Sequence, residues 1–379
     1  MKRLAVLGAS YLQRDLVVKA ALMGFEVHAF AWSEGEVVSD VCHQFHNISL
    51  TDTHALVSAC REIGVDGVVT SSSDVAVPAM AEIATQLNLV GPSIETARCC
   101  THKGAMREAL ANGGCAIPDF VVMTEWEESM PFSPPFVVKA SDRSGSRGVT
   151  LVREEKDWRH AFEEAQRVSF SKDVVVEQFF EGRQFSVEAV SQGGCHYFCG
   201  LTEEFFGGQA NCEKGHLVPG RLSSEETESM FVEVKRALDA LGVRDGASHS
   251  EVRINQKGEL CIVEVGARLG GDFRNRLVFQ AYEVDLDELV IKIALGRAIE
   301  DPMAQARHSA MISWVFDKAD AEAFKTAVSV DQCVYHEILR PVSSLQPKSS
   351  NERYGYVIVS TSINGGGEWI ESELKRNSW

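Results

Sequence analysis

The sequence predicts an α/β protein that begins with an open parallel sheet, and three observations predict this fold class. Over roughly the first ninety residues, short apolar segments alternate with segments of helical spacing. The connections between these segments are short. Glycines such as Gly24 and Gly64 close the helical segments, as is common at helix C-termini. Repeated strand–helix units of this kind form open parallel sheets, which bind ligands at the carboxyl ends of their strands.

The N-terminal elements can be assigned in chain order. They are strand Leu4–Leu7, helix Leu16–Met23, strand Phe25–Phe30, helix Thr53–Ile63, strand Gly67–Val69 and helix Pro78–Leu87. The expected ligand positions are Gly8–Ser10 and Ser71–Asp74, which follow two of these strands. A dinucleotide fingerprint needs the pattern G-x-G-x-x-G, and here only Gly8 precedes the helix. The sequence therefore disfavours a nicotinamide cofactor.

From about residue 93 the chain changes character, with glycine-rich loops and strands that bear carboxylates. A proline-punctuated connection, Pro131–Pro135, precedes the predicted strand Phe136–Ala140. The last portion, from about Arg297, is predicted to contain strands Ala310–Phe316 and Tyr356–Ser360, helices Asp320–Ala327 and Glu368–Lys375, and a turn at Asn364–Gly367.

Composition narrows the class of protein. There are 37 Lys and Arg residues against 54 Asp and Glu residues, a formal net charge of −17, whereas a nucleic-acid binder needs a basic face. No apolar run approaches the roughly 20 residues of a membrane span. The ten cysteines lack the paired short spacings of a zinc site. We therefore expect a cytoplasmic protein with reduced thiols and without a nucleic-acid or membrane partner.

A lysine at the end of an apolar strand is followed by a loop of small residues. Lys139 closes the strand, and a second strand, Val149–Val152, follows the loop. The loop residues of interest are Ser144, Gly145, Ser146 and Gly148. Small residues let backbone N–H groups approach a polyphosphate, and a nearby lysine offsets its charge. No G-K-[ST] sequence opens a helix, so this is not a Walker A loop. A simple hairpin with a flexible tip is the alternative.

A second segment joins an acid to two aromatic residues. Its members are Glu177, Gln178, Phe179 and Phe180, and the chain resumes after a turn with Gln184. A strand-to-linker backbone beside an acid can recognise the amino group and ring nitrogen of adenine, while the apolar side chains pack on the base. Polar residues that follow can meet the ribose hydroxyls. A structural hairpin is again the alternative.

A third segment pairs two carboxylates. Glu251 and Glu264 lie in two strands separated by the predicted turn Asn255–Gly258, so a hairpin would bring them into one site. Paired carboxylates that face a polyphosphate are what magnesium needs. Arg268 lies four residues beyond, where a guanidinium can hold a transferring phosphoryl group. A surface hairpin with two solvated acids is the alternative, and the apolar neighbours of Glu264 argue against it.

The order of these three segments resembles the ATP-grasp superfamily, and the likeness covers nearly the whole chain. The stretch from Leu89 to Lys103 resembles the family's entry into its nucleotide domain. The resemblance implies the ATP-grasp fold, with an N-terminal open parallel αβ domain (1–92), a nucleotide-binding region (93–296) that includes a lid subdomain (about 115–175), and a C-terminal α+β portion (297–379).

The resemblance also implies roles for individual residues. Lys103 and Lys139 would bind ATP phosphates, Ser144–Gly148 would form the lid loop, and Glu177–Phe180 the adenine linker. Glu251 and Glu264 would hold Mg²⁺, with Mn²⁺ as an alternative metal. Arg268 would stabilise an acyl phosphate, and it is predicted to be catalytic together with Lys139.

The sequence departs from the family pattern at two positions. Gln184 stands where many relatives place a ribose-binding glutamate, and it carries no charge. Gly266 stands where many relatives place an asparagine metal ligand, so that one coordination position would fall to water or substrate.

Within the superfamily, the segment Glu213-Lys-Gly-His216 and the later Gly-Ala-Arg268-Leu-Gly270-Gly271 resemble the L-amino acid ligase branch. In that branch an acid and a histidine three residues apart help to bind the first amino acid. The substrate residues implied by the resemblance are Glu213, His216, Arg268, Gly270 and Gly271. A solvated loop is the alternative for the Glu213/His216 pair, and Asp272 makes the acceptor specificity hard to infer.

The resemblance implies an ATP-dependent carboxylate–amine ligase that forms an amide through an acyl phosphate and releases ADP and phosphate. Its partners would be small-molecule carboxylates and amines, and a homodimer is compatible with the likeness. One alternative is a purine-biosynthesis or carbamoyl-phosphate-like enzyme that uses bicarbonate or formate. Another is a nucleotide-binding regulator without turnover.

Overall fold

The computed structural model describes residues 1–207, 212–302, 305–343, 345, 347, 349, 352–363 and 368–377. The turn predicted at Asn364–Gly367 lies outside these residues. The described chain contains a four-stranded parallel sheet, a four-stranded antiparallel sheet and an eight-stranded antiparallel sheet. None of the helices in these parts of the chain is long and apolar enough to cross a bilayer.

The N-terminal part is a parallel sheet in the strand order β3-β2-β1-β4, with helices on both faces. Its elements are β1 (Arg3–Leu7), α1 (Arg14–Leu22), β2 (Glu26–Ala31), β3 (Gln44–Asn47), α2 (Thr53–Ile63), β4 (Gly67–Thr70) and α3 (Ala76–Leu87). Leu4 and Val6 pack with α1, whereas Ala5 and Leu7 pack with α2 and α3. Because both faces of β1 are buried, the strand is a continuous apolar run.

The side chain of Gln13 fills the crevice at the end of β1, where the sequence predicted a ligand position. Its amide nitrogen donates to the Ser71 carbonyl at 2.7 Å, and its oxygen accepts from the Ser10 hydroxyl at 2.6 Å. Gly8 has φ +112°, and a Cβ there would lie 2.9 Å from the Gln13 side chain. The space beside Gly8 is therefore occupied by the protein itself, and Gln13 ties the loop after β1 to the loop after β4.

The second part joins the N-terminal sheet to a small antiparallel sheet in the order β5-β8-β6-β7. Its elements are α4 (Ile94–Thr101), α5 (Lys103–Asn112), β5 (Phe120–Met123), β6 (Phe136–Ala140), β7 (Val149–Val152), a 3-10 turn (Glu155–Asp157), α6 (Trp158–Val168) and β8 (Val174–Gln178). Trp158, Phe162 and Ala165 recur at helical spacing and pack on Phe136 and Val138 of the sheet.

The central sheet has the strand order β13-β12-β9-β10-β11-β14-β16-β15. Its strands and the associated helices are β9 (Arg183–Gln192), β10 (Cys195–Gly207), β11 (Cys212–Val218), α7 (Ser224–Ala240), β12 (Gly246–Ile254), β13 (Leu260–Gly266), α8 (Arg274–Tyr282), α9 (Leu286–Ala294), β14 (His308–Val315), α10 (Lys318–Val328), β15 (Cys333–Ile338), β16 (Gly355–Ser362) and α11 (Glu368–Arg376). Because β14 pairs with β11, the strands beyond residue 297 extend this sheet.

The N-terminal sheet meets the central part at the loop that follows β13. Ser71 forms a parallel bridge with Leu269, and the Ser72 amide donates to the Leu269 carbonyl at 3.0 Å. Helix α9 strengthens this junction, because Val290 and Ile291 share a core cluster with residues of β1 and α1. The loop after β4 is thereby held against the loop that bears the predicted substrate residues.

Candidate active site

The two predicted metal ligands lie directly opposite each other in neighbouring strands. Glu251 of β12 pairs with Glu264 of β13, so their side chains share one face of the sheet. Their side chains are 25% and 28% exposed. The Lys103 ammonium lies 3.1 Å from a Glu264 oxygen and donates to the Arg143 carbonyl at 2.7 Å. Two accessible carboxylates thus sit beside a lysine.

The register of this hairpin shifts immediately after the Glu251–Glu264 pair. The carbonyl of Val263, which lies beside the shift, accepts a hydrogen bond from Arg107 Nη2 at 2.6 Å. Irregular pairing of this kind re-aims side chains next to active sites. Arg107 therefore stabilises the strand geometry that presents Glu264.

The buried acid Glu177 forms ion pairs with two cationic side chains, Arg107 and Lys139. Glu177 is 3% exposed, and its two oxygens lie 2.8 Å from Arg107 Nε and 2.7 Å from Lys139 Nζ. Burial alone would raise the pKa of Glu177, but the charges of Arg107 and Lys139 lower that pKa to about 2. The side chain of Glu177 thus holds Lys139, while its backbone is paired within the small antiparallel sheet, between β5 and β6.

Replacement of Glu177 by glutamine is expected to lower the free energy of unfolding by about 3 kcal/mol at pH 7, because it leaves two buried cations without a counter-charge. Since the pKa of Glu177 is lowered from 4.5 to about 2, its stabilisation is complete above about pH 4.5 and is lost as the pH falls towards 2. Urea unfolding between pH 7 and pH 3 measures this difference.

The matched control for this prediction is Glu164→Gln, which removes an exposed ion pair with Arg167. Such surface pairs contribute less than about 1 kcal/mol. A Glu177→Gln protein no less stable at pH 7 than the Glu164→Gln protein would contradict the role assigned to Glu177.

The predicted adenine linker is anchored at both ends. The Gln178 side-chain amide donates to the Pro135 carbonyl at 3.0 Å. The Arg253 guanidinium lies 5.1 Å from the centre of the Phe179 ring and donates to the Phe180 carbonyl at 3.0 Å. These contacts fix the linker path between β8 and β9.

Gln184, the first departure from the family pattern, bridges two carboxylates. Its amide nitrogen lies 2.9 Å from Glu204 and 3.0 Å from Glu251, and its oxygen accepts from Arg253 Nε at 3.0 Å. A glutamate here would place a third carboxylate beside Glu204 and Glu251, whereas an amide donates to both. The amide therefore suits this site because it orients the metal-ligand candidate Glu251.

The predicted lid loop exposes backbone near the site. Gly145, Ser146 and Gly148 all have positive φ values, between 58° and 71°. A Cβ at Gly148 would lie 2.5 Å from Val168 and 3.0 Å from Ala140, so only glycine fits there. Arg143, at the start of the loop, is joined to Lys103 through its carbonyl. Ser144 directly follows Arg143, so the loop begins beside the lysine predicted to bind phosphate.

A buried histidine–glutamate pair, His249 and Glu188, lies beside Glu251. Glu188 is fully buried and accepts hydrogen bonds from His249 Nδ1 at 2.5 Å and from the Gly270 amide at 3.0 Å. Burial would lower the pKa of His249, but Glu188 raises it to about 9. His249 Nε2 lies 3.6 Å from Glu251. A Cβ at Gly270 would lie 2.6 Å from Glu188, so the glycine is required for this packing.

Arg268 is held by an acid from Ser71–Asp74, the segment predicted as a ligand position at the sheet edge. The Asp74 carboxylate, in the loop after β4, accepts hydrogen bonds from Arg268 Nε at 2.8 Å and from Arg268 Nη2 at 3.0 Å. A Cβ at Gly266 would lie 3.3 Å from both the Arg268 guanidinium carbon and an Asp74 oxygen. A side chain at position 266 would therefore contact the Arg268–Asp74 pair closely, and the pair would have to shift by a few tenths of an ångström to admit it.

The predicted Glu213/His216 pair lies on β11 next to the loop after β13. His216 is fully buried, and its Nε2 lies 3.1 Å from Asp272. Arg353 binds Asp272 through both terminal nitrogens, at 2.5 and 2.6 Å, and donates to the Glu213 carbonyl at 3.2 Å. A fully solvated loop is therefore wrong as an account of His216.

The structure brings the predicted residues together through partners that the sequence reading missed. These partners are Arg107, Glu188, Glu204, Arg274 and Arg353. Arg107 was open to prediction, because it follows Lys103 by four residues and so shares a face of α5. Within the described residues, no group of three or more His, Cys, Asp or Glu side chains converges as a metal site.

Residues 132–275 match the ATP-grasp domain family. The chain is 29% identical over 294 residues to the protein y4rH of Sinorhizobium fredii, which covers 72% of this chain and 58% of that protein. It is 20% identical over 278 residues to the alanine–anticapsin ligase of Bacillus subtilis. That alignment covers 66% of this chain and 58% of the enzyme. The chain thus spans less than two thirds of the length of either relative.

The fold of the whole chain is similar to that of a solved L-amino acid ligase from Bacillus licheniformis, with a TM-score of 0.84 at 21% identity. The superposition covers 100% of this chain and 97% of that one. This likeness confirms the predicted fold class, including the N-terminal parallel sheet. Residues 132–275 thus form an ATP-grasp domain, within a chain whose overall fold is that of the solved ligase.

Proposed function

We propose that this chain is an ATP-dependent carboxylate–amine ligase that uses an amino acid substrate. The observation that supports this most strongly is the in-register pair Glu251 and Glu264, with Lys103 at 3.1 Å from Glu264. Two accessible carboxylates beside a lysine suit a metal-bound polyphosphate, and Arg268 lies beyond the same strand. The described relatives and the ATP-grasp domain are consistent with this chemistry.

The donor set fits Mg²⁺. Carboxylate oxygens are hard ligands, and Mg²⁺ takes its remaining positions from phosphate oxygens and water, so two protein carboxylates suffice when the ion accompanies ATP. Glu251 and Glu264 would hold it, with Mn²⁺ as the alternative ion. When bound, the ion would neutralise charge on the phosphates. Gln184 and His249 would keep Glu251 oriented.

The proposed reaction has two steps. First, an oxygen of the substrate carboxylate attacks the γ-phosphorus of ATP, and ADP leaves. The amine nitrogen then attacks the acyl carbon, phosphate leaves, and the nitrogen loses a proton as the amide forms. The chain supplies charge and position: Lys103 and Lys139 at the phosphates, and Arg268 at the acyl phosphate. No side-chain nucleophile is required.

The subsite for the first amino acid is proposed to lie at Glu213, His216, Gly270 and Gly271. Gly270 and Gly271 leave the loop after β13 without side chains, and a Cβ at Gly271 would be in ordinary van der Waals contact with Ser72, at 3.8 Å. Ser72 donates to the Gly270 carbonyl at 3.3 Å, so the loop is held in place from the N-terminal domain.

The proposal is tested by measuring ADP and phosphate release with Mg·ATP against single amino acids and amino acid pairs, with bicarbonate and formate in separate wells. Release that needs an amino acid, together with a new amide in the product mass spectrum, is expected. Release that needs only bicarbonate or formate would move the chain to the rival reaction. ATP binding without release in any well would contradict the proposed turnover and favour a regulator.

A further inference from the structure

Three segments that are distant in sequence meet at Asp272. Its oxygens accept from Arg353 Nη2 at 2.5 Å and from Arg353 Nη1 at 2.6 Å, and the second oxygen also lies 3.1 Å from His216 Nε2. Arg353, which precedes β16, is 2% exposed and stacks on Trp314, with 3.6 Å between the guanidinium carbon and the ring centre. Asp272 itself has φ +56° and directly follows Gly271.

These contacts decide which nitrogen of His216 carries the proton. Burial would raise the pKa of Asp272, but Arg353 and His216 lower it, so Asp272 is a carboxylate that can only accept. His216 Nε2 must therefore donate. Burial, followed by the charge of Arg274, lowers the pKa of His216, so the ring is neutral and Nδ1 has a lone pair.

The lone pair on Nδ1 has no partner in the described structure. His216 is fully buried, and Nδ1 is one of the buried side-chain atoms without a hydrogen bond there. An unpaired buried acceptor costs free energy unless a ligand or water satisfies it. Arg274, whose charge acts on His216, donates to the Gly271 carbonyl at 3.0 Å, which places the ring beside the substrate loop.

We propose that Asp272 and Arg353 are positioning residues that fix His216 as the Nε2–H tautomer, so that Nδ1 accepts a hydrogen bond from the ammonium group of the substrate. This inference rests on the proposed function. A histidine with the opposite tautomer would present an N–H to the ammonium and repel it. The C-terminal portion of the chain thereby takes part in amine recognition through Arg353.

Arg353 has a distinct task in this arrangement. A buried carboxylate whose only neighbour is an imidazole favours protonation of that imidazole, which would place N–H groups on both ring nitrogens. The guanidinium supplies the counter-charge for Asp272 and so lets His216 stay neutral. The two terminal nitrogens of the guanidinium bond one carboxylate oxygen each, and a lysine cannot reproduce this two-point contact.

The test uses the double variant Asp272→Asn/Arg353→Met. Removing both charges avoids a buried unpaired ion, and asparagine tolerates the positive φ at position 272. An amide can either accept from Nε2 or donate to it, so the tautomer is no longer fixed. The matched control is Arg244→Met/Asp245→Asn, the same two changes at a loop before β12 where Arg244 is exposed.

The first readout is the spectrum of the protein labelled with ¹⁵N-histidine, with His216 assigned by the loss of its signals in His216→Gln. We expect a protonated Nε2 and an unprotonated Nδ1 in the wild type and the control, and a mixture in the double variant. A protonated Nδ1 in the wild type, or an unchanged single tautomer in the double variant, would overturn the proposal.

The second readout is kinetic. For the amino acid found in the release assay, we expect KM to rise about 10- to 100-fold in the double variant, the size expected for a lost hydrogen bond to a charged group. The KM for ATP should stay within about twofold. The same acid without its amino group, used as a competitive inhibitor, should inhibit wild type and variant equally. Equal loss of affinity for this analogue would contradict the role in amine recognition.

Arg353→Lys serves as the conservative variant. It keeps the charge and is expected to retain the wild-type tautomer in part, with a smaller rise in KM than the double variant. If the wild type shows no amino-acid-dependent release, the proposed function fails, and with it the role of Nδ1 as an ammonium acceptor. The histidine spectrum still decides whether Asp272 and Arg353 fix the tautomer.

Discussion

The Glu264→Ala protein is expected to fold but to release ADP about 1,000-fold more slowly than the wild type, or not at all. The side chain is one of the two accessible carboxylates proposed to hold Mg²⁺, and stabilisation of phosphate charge by a metal amounts to several kcal/mol. The change also removes the Lys103–Glu264 contact, although Lys103 keeps its bond to the Arg143 carbonyl. Stability should therefore change little.

The measurement is ADP release at saturating amino acid as the Mg²⁺ concentration is varied, together with Mn²⁺ binding followed by electron paramagnetic resonance in the presence of ADP. The control is Glu259→Ala, which removes an exposed glutamate from the same hairpin. We expect the control to bind Mn²⁺ like the wild type and to remain active. A Glu264→Ala protein that binds the metal and turns over at the wild-type rate would show that this carboxylate is not a metal ligand.

The Arg268→Ala protein is expected to bind ATP normally but to form the acyl phosphate about 100- to 1,000-fold more slowly. Arg268 follows the strand that carries Glu264. Hydrogen-bond donors held at the point where charge develops contribute a factor of about 100 to 1,000 to the rate in other enzymes. Acyl phosphate is measured by trapping with hydroxylamine in a single turnover. The KM for ATP should remain within about twofold, because Lys103 and Lys139, the lysines proposed to bind the phosphates, are intact.

Loss of Arg268 leaves Asp74, whose side chain is only 16% exposed, without its main counter-charge, so a second variant is needed. The double variant Arg268→Ala/Asp74→Asn removes both charges and should be as slow as Arg268→Ala. Asp74→Asn alone keeps the guanidinium and loses one anchor, so its rate should fall only about tenfold. Equal rates for Asp74→Asn and Arg268→Ala would mean that the pair matters for structure and not for the reaction.

Much of this fold was open to prediction from local sequence. Helix α2 begins after Asp52, whose side chain accepts from the Ala55 amide, and ends at Gly64 with φ +71°. The strands β6 and β7 have the bounds that their apolar runs predict. Both kinds of signal depend on neighbours within a few residues, so they can be read before any tertiary contact is known.

Some of the site residues could be predicted from the sequence, whereas others could not. Glu251 and Glu264 were open to prediction because one hairpin determines their register, and the structure pairs them. Asp74 and Arg268 are separated by 194 residues, and Asp272 and Arg353 by 81. No periodicity or turn signal relates residues so far apart, since such pairs exist only once separate elements have packed.

Local sequence patterns specify the strand–helix order of the N-terminal sheet, the hairpin that aligns two carboxylates, and the lysine and glycine positions of the loop predicted to be a lid. Tertiary structure alone decided how charge is distributed around them: that Glu177 holds Lys139, that Asp74 holds Arg268, and that Arg353 reaches Asp272 from the C-terminal portion. The physical reason is burial. A charge removed from water must find a partner in space, and which partner it finds depends on how the sheets and loops are packed.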